Sequence, residues 1–302
     1  MKRRAQQEPN CQVRLDRMVV GVPDNPSDGL PQPKGFKRVQ DTRVRPQGAI
    51  VTYRRVRRFE SKSSSCKISI QYDRQAPWLP WCRITLIGDD RTGLTLDEVK
   101  SVLVDVPDHK ISLLELALDF RPVTEVDEQF VLCYARFGKS RRQKNRGGPG
   151  TLRFGTRGSP KLVRCYRKQK LDRYRVELEL HSSLLKKLSI RNIADLPVVA
   201  TKLCPAHIAF KVLLEKKLES HLVRRYGARK GQRLHEAALA RAETSLHQTT
   251  RFLAGVVHNP HRFLGSAVTN RDIREALERW AAEFSLDEEL SLPLTERKSR
   301  IA

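Results

Sequence analysis

Three consecutive stretches near the middle of the chain alternate apolar and polar residues with a period of two. They are Thr151–Gly155, Lys161–Lys168 and Tyr174–His181, within GTLRFGTRGSPKLVRCYRKQKLDRYRVELELH. Gly155, Gly158, Ser159 and Pro160 break the first join, and Leu171, Asp172 and Arg173 make the second. Successive side chains of a strand point to opposite faces, so these runs hide their apolar halves by pairing as an antiparallel sheet with one face covered. Val163, Cys165, Val176, Leu178 and Leu180 then take the covered face. Arg164, Tyr166 and Lys168 share the other face with Arg175, Glu177 and Glu179.

The same signal recurs upstream. Ala49–Glu60, Ser65–Tyr72 and Trp81–Gly88 are β-rich and are separated by short polar or proline-containing turns. In Ile111–Phe120, Leu114, Leu116, Leu118 and Phe120 fall on one face, and Glu115, Ala117 and Asp119 on the other. Trp78 and Trp81 flank Pro80; stacking on bases is open to them, but the burial tendency of large aromatics favours covering the edge of a core. Thr95, Leu96, Asp97 and Glu98 can cap a short helix running to about Val104, and a further helix is expected over Val126–Phe137. Beyond His181 the period becomes helical, over Ser182–Leu188, Asn192–Lys202, His207–Tyr226, Leu234–Val257 and Asp272–Phe284. Ile273, Leu277, Trp280 and Phe284 form an apolar stripe on the last of these, and Leu294–Ala302 reads as a disordered tail.

The expected fold class is therefore α+β: an antiparallel β-sheet domain with flanking helices, followed by a helical C-terminal region. Residues 1–48, with prolines at 23, 26, 31, 33 and 46, read as largely irregular, although Val13–Gly21 has strand character. Residues 49–190 form the β-rich domain, and residues 191–302 the helical, basic region.

Lysine and arginine number 58 against 34 acidic residues, a formal net charge of +24. Such an excess calls for a polyanionic partner, nucleic acid or an anionic membrane surface. No apolar run reaches the roughly 18 residues a spanning helix needs, and MKRRAQQEPN lacks the apolar core of a secretory signal. The charge is thus expected to face DNA or RNA in the cytoplasm, with no membrane partner. The six cysteines, at 11, 66, 82, 133, 165 and 204, have neither CxxC nor zinc-finger spacing and read as buried reduced thiols. The segment GKSRRQKNRGGPG, residues 138–150, reads as a flexible basic loop in which Lys139, Arg141, Arg142, Lys144 and Arg146 contact phosphates. No glycine cluster has the GxxxxGK[ST] spacing of a nucleotide-binding loop.

The polar face of the central hairpin carries the candidate chemistry. A tyrosine nucleophile, carboxylates able to hold a divalent ion and cations beside a phosphate together suggest attack on a phosphodiester. The same alternation also describes an amphipathic hairpin whose charges are merely solvated. Glu115 and Asp119, with the small Ala117 between them, leave space for a hydrated Mg²⁺ or Mn²⁺. Asp16 reads either as a ligand or as a surface aspartate, and His181 likewise. The chain has no pair of histidines flanking one hydrophobic residue, and His258 and His261 stand three apart around Asn-Pro.

Taken together, Arg164-Cys165-Tyr166-Arg167-Lys168 and Arg175-Val176-Glu177-Leu178-Glu179-Leu180 resemble the signature of the Rep_trans replication initiation factors of rolling-circle plasmids, with relatives in filamentous phages and integrative elements. The resemblance spans about residues 111–181, with the turn Gly155–Ser159 and the Glu115, Ala117, Asp119 spacing included. It departs at Arg167, where the family has Asp or Asn, and at Glu115, where Asp is common. It implies DNA nicking and rejoining at an origin through a covalent 5′-phosphotyrosine. Tyr166 would be the nucleophile; in such a reaction Lys168 or Arg164 would lower its pKa and contact the phosphate. Glu177, with Glu115 or Asp119, would help hold Mg²⁺ or Mn²⁺, and Glu179 on the same face is a further candidate ligand. Arg157 and Arg175 would join the basic loop in contacting double- and single-stranded DNA. A homodimer and a host helicase are the implied protein partners. A conjugative relaxase, a non-catalytic DNA-binding protein on the same fold and an RNA-associated basic protein are the rival readings.

Overall fold

The computed structural model describes residues 11–24, 33–43, 52–103, 106, 109–120, 140–145, 148–156, 159–168, 173–203, 211–242, 246–266 and 269–285. Within them the fold is α+β. The strands are β1 (Cys11–Val22), β2 (Phe36–Arg43), β3 (Tyr53–Ser61), β4 (Lys67–Arg74), β5 (Cys82–Ile87), β6 (Lys110–Phe120), β7 (Ser140–Asn145), β8 (Gly148–Phe154), β9 (Lys161–Lys168) and β10 (Arg173–His181). They form one antiparallel sheet in the order β2-β3-β4-β5-β1-β6-β10-β9-β8-β7. The chain takes the same path twice. From the central strand β1 it moves to the outer edge and returns through β2–β5 to pair with β1. From the other central strand, β6, it moves to the opposite edge and returns through β7–β10 to pair with β6.

A helix follows each return: α1 (Leu96–Leu103) after β5 and α2 (Ser182–Lys187) after β10. The expected cap of α1 is present. The Glu98 backbone N–H donates to Thr95 Oγ1 at 3.2 Å, and the Thr95 N–H donates to the Glu98 carboxylate at 2.9 Å. These helices, α3 (Leu196–Leu203) and α7 (Thr269–Ser285) share one continuous core with one face of the sheet. Leu114, Leu116, Leu118, Val163, Cys165, Val176, Leu178 and Leu180 all lie in it, as their alternation requires. Cys11, Cys66, Cys82 and Cys165 are buried and form no disulfide, and burial pushes the thiols of Cys66 and Cys82 up to about 12.

A second, smaller core is built between α3 and α7. It joins α4 (Glu215–Tyr226), α5 (Ala228–Ala242) and α6 (Leu246–Ala254) through Leu218, Leu222, Ala238, Leu253, Val257 and Phe263. Its chain ends are tied by β11 (Lys211–Leu213) pairing with β12 (Leu264–Ser266). No helix of the described residues is long and apolar enough to cross a membrane.

Several expectations change. The N-terminal segment, expected to be largely irregular, contributes β2 and the central strand β1. Part of the expected basic loop is strand β7, paired with β8 at the sheet edge. A charged edge strand discourages pairing with other chains, and its charges hid it from an apolar-alternation test. The single helix expected over Leu234–Val257 is split between α5 and α6. The C-terminal region does not stand apart, since α7 packs on β1 and α3. The helix expected over Val126–Phe137 and the tail Leu294–Ala302 lie outside the described residues.

Candidate active site

Polar side chains occupy the face of β1, β6, β10 and β9 turned away from the core. A β-bulge organises β1. Its partners on β6 skip from Leu15–Leu116 to Arg17–Glu115, leaving Asp16 as the extra residue. Core contacts accordingly change phase, from Cys11, Val13 and Leu15 to Met18, Val20 and Val22. The bulge therefore presents Arg14, Asp16 and Arg17 together to the polar face. The turn after β5 is pinned at the same place: the Gly88 N–H donates to Asp16 O at 2.8 Å, and the Leu94 N–H to Leu15 O at 2.7 Å. This turn needs its glycines. A Cβ on Gly88 would lie 2.4 Å from the Gly93 carbonyl carbon, and Gly93 has φ +74°.

Two ion clusters result. In the inner one, Arg175 grips Asp119 with two bonds, Nε–Oδ1 at 2.6 Å and NH2–Oδ2 at 2.8 Å, and reaches Asp16 Oδ2 through NH1 at 2.8 Å. Arg14 and Arg173 each approach Asp119 at 3.3 Å. In the outer one, Arg164 pairs with Glu115, lies 2.9 Å from Glu177 Oε2 through Nε and 3.8 Å from Glu179. Arg17 lies 2.9 Å from Glu115 and 3.3 Å from Glu179, and His181 Nε2 lies 2.8 Å from the other Glu179 oxygen. Tyr166, half-buried beside this cluster, donates its hydroxyl to Glu177 Oε1. Tyr166 and Arg164 are register partners of Arg175 and Glu177, so the pairing of β9 with β10 sets this contact.

The electrostatics separate the two clusters. Burial raises the Asp119 carboxyl, but the Arg175 hydrogen bond and charge, with Arg14 and Arg173, hold it below the ordinary carboxylate value. Burial and neighbouring carboxylates push Asp16 up to about 6, despite Arg175. Burial also raises Glu115, and Arg164 only partly opposes this. The Tyr166 phenol is driven well above its usual value by burial and by the Glu177 carboxylate, against the pull of Arg175 and Arg164. Arg164 does pull this pKa down, as expected, but burial and Glu177 outweigh it. Lys168 is engaged elsewhere, 2.8 Å from Asp90. The proton on Tyr166 instead has an acceptor already in place.

The other expected site residues divide. Tyr166, Arg164, Glu115, Glu177 and Glu179 are brought together. Asp119 lies in the inner cluster with its oxygens taken by Arg175. Arg175, expected to contact DNA, is 1 % exposed and bound to two carboxylates, so a phosphate has no access to it. Arg141, Arg142 and Lys144 lie in β7, while Lys139, Arg146 and Arg157 lie outside the described residues. Tyr174 is on the core face. Local reading missed Arg14 and Arg17 and left Asp16 open. The signal for all three was the phase slip in CQVRLDRMVVGV, where Asp16 and Arg17 are consecutive polar residues between two apolar alternations.

The residues do not fit a divalent ion in this arrangement. Asp16, Glu115, Asp119, Glu177 and Glu179 face Arg14, Arg17, Arg164, Arg173 and Arg175, so five carboxylates are matched by five guanidinium groups. Among the described residues no group of three His, Cys, Asp or Glu side chains is placed to hold a metal. An ion at Glu115 and Glu179 would have to displace Arg17 or Arg164.

No protein-family model matches the chain, and no curated protein does. A solved structure with some likeness is a rolling circle replication initiator protein from Geobacillus stearothermophilus. It is 16% identical with a TM-score of 0.40, over 67% of this chain and 87% of that one.

Proposed function

We propose that this chain cuts and rejoins one strand of DNA at an origin through Tyr166, as an initiator of rolling-circle replication. The observation that carries the reading is the hydrogen bond from the Tyr166 hydroxyl to Glu177, with Arg164 on the other Glu177 oxygen. A nucleophile bonded to a base that a third group orients is the general arrangement of covalent catalysis. Tyr166, Arg164 and Glu177, which belong to the stretches resembling the Rep_trans signature, meet here, and the charge of +24 suits a DNA partner.

In the proposed step the Tyr166 oxygen attacks a backbone phosphorus and its proton passes to Glu177. The phosphorus–O3′ bond breaks, the O3′ oxygen takes a proton from solvent, and the 5′ phosphate stays on the tyrosine. The freed 3′-OH primes synthesis, and the reverse attack by a 3′-OH reseals the strand. Arg164 holds Glu177 in place and stands beside the developing negative charge.

The test is incubation with supercoiled DNA carrying the neighbouring non-coding region, with Mg²⁺ or Mn²⁺ and in parallel with chelator. Nicked or relaxed DNA with protein covalently attached is expected, and Tyr166→Phe should abolish the adduct. An adduct that survives this change refutes the assignment of the nucleophile. Full DNA binding without any cutting by the wild type would leave a non-catalytic DNA-binding protein. Adduct formation only with the metal would mean that an ion displaces Arg17 or Arg164.

A further inference from the structure

On the same face of the sheet as Tyr166, at the far end of β1, β6 and β10, lies a cleft of about 1070 Å³. His181 lines it and also contacts Glu179, so it opens next to the outer ion cluster. From Glu177 to His181 is four residues along β10, roughly 13 Å at the rise of a strand.

Trp78 stands at this cleft with 83 % of its surface exposed, the most exposed large hydrophobic side chain among the described residues. The expectation that both Trp78 and Trp81 cover a core edge holds only for Trp81, which packs partly buried against the core. The turn that carries Trp78 is held firmly. Arg74 NH1 donates to Leu79 O at 2.8 Å, the Tyr53 hydroxyl donates to Pro80 O at 3.1 Å, and the Leu79 N–H donates to Ala76 O at 3.1 Å. Pro80 sits so close to β1 that a Cβ on Gly21 would come within 2.8 Å of its Cγ. The pinned turn thus presents a large aromatic ring to solvent, open to an aromatic partner.

Charge indicates what covers it. Arg83, Lys110, Lys186 and Arg191 line the cleft, are exposed, and form no ion pair among the described residues. Asp24 is the one acidic residue in the described lining. Cations around an aromatic platform suit a strand whose phosphates need neutralising and whose base faces are free to stack. Duplex DNA offers the phosphates but keeps its base faces stacked, so Trp78 selects an unpaired strand.

We infer that this cleft is a binding groove for single-stranded DNA, with Trp78 stacked on a base, the four cations facing phosphates and His181 at the end nearest Tyr166. The direction of the strand toward Tyr166 rests on the function proposed above; binding in the groove does not require cutting.

The test uses the full chain carrying Tyr166→Phe, so that no strand is cut, and measures anisotropy of a labelled oligothymidylate. Adding Trp78→Ala should weaken binding about tenfold, in line with the loss of one stacked base, with the fold intact because Trp78 is exposed. Trp78→Phe should retain most of the affinity. Arg83→Ala and Lys186→Ala should each lower the salt-dependence slope by about one. Unchanged affinity in Trp78→Ala overturns the groove, as does tighter binding of oligouridylate of the same length. Equal affinity for free thymidine monophosphate overturns it too, in favour of a small-molecule pocket. Nicking is read separately in the chain that keeps Tyr166: unchanged oligothymidylate affinity in Trp78→Ala beside Tyr166-dependent nicking overturns the groove and leaves the proposed function standing, whereas weakened affinity in Trp78→Ala with no nicking by the wild type supports the groove and overturns that function.

Discussion

Glu177 is the residue on which the proposed chemistry turns, because it is the acceptor for a phenol that its surroundings keep protonated. Replacing it with Gln keeps the shape and a hydrogen bond but removes the base. Glu177→Gln is expected to slow adduct formation by about 10²–10⁴, the usual worth of a positioned general base, in single-turnover cleavage. DNA binding measured in parallel should be unchanged. Asp16 offers a test through pH. An ordinary aspartate titrates near 3.8, and here burial first, then the neighbouring carboxylates, move it up to about 6. Between those values the folded chain holds a proton that the unfolded chain has lost. Its contribution to stability is therefore greatest at low pH and falls as pH rises toward 6. Asp16→Asn should remove this slope, so that its stability relative to wild type improves between pH 4 and 6 by up to about 2–3 kcal/mol, read from urea midpoints.

At the scale of elements, strands β6, β9 and β10 were legible because alternation is a local property of an extended backbone. Leu114, Val163 and Leu178 are buried as it requires. The cap of α1 was legible for the same reason, since Thr95 and Glu98 are three residues apart. The bulge at Asp16 was written as a phase slip, but what it exposes depends on β6 lying alongside. The α4–α5 hairpin depends on close approach. Gly227, at φ +79°, ends α4, and a Cβ on Gly231 would lie 2.5 Å from the Val223 Cα. Gly231→Ala should force the two helices apart and destabilise the second core by about 1–3 kcal/mol. Hydrogen exchange should accelerate in α4 and α5 while the protection of β6 and β10 is retained.

For the molecule as a whole, the main core spans the chain from Cys11 to Ala281. The expected boundary near residue 190 follows a change in secondary structure, whereas the cores divide differently, with the second one inserted between α3 and α7. Leu277 tests this. It is 1 % exposed in the main core, so Leu277→Ala should cost about 2–5 kcal/mol and should lower the protection of β1 as well as of α7. Loss confined to the C-terminal helices would contradict the shared core. The sequence alone was sufficient to identify an antiparallel sheet, its buried and polar faces and the Tyr166–Glu177 neighbourhood, because an alternating period is carried by nearby residues; its charge of +24 set only the expectation of a polyanionic partner. It pointed the wrong way on Arg175, a buried counter-ion rather than a DNA contact, and on Trp78, an exposed ring rather than a core cover. The first depends on Asp16, 159 positions away. The second depends on where Gly21, Tyr53 and Pro80 meet. Ion pairing between distant strands and the exposure of a turn are set by residues brought together by folding, and an alternating pattern does not record them.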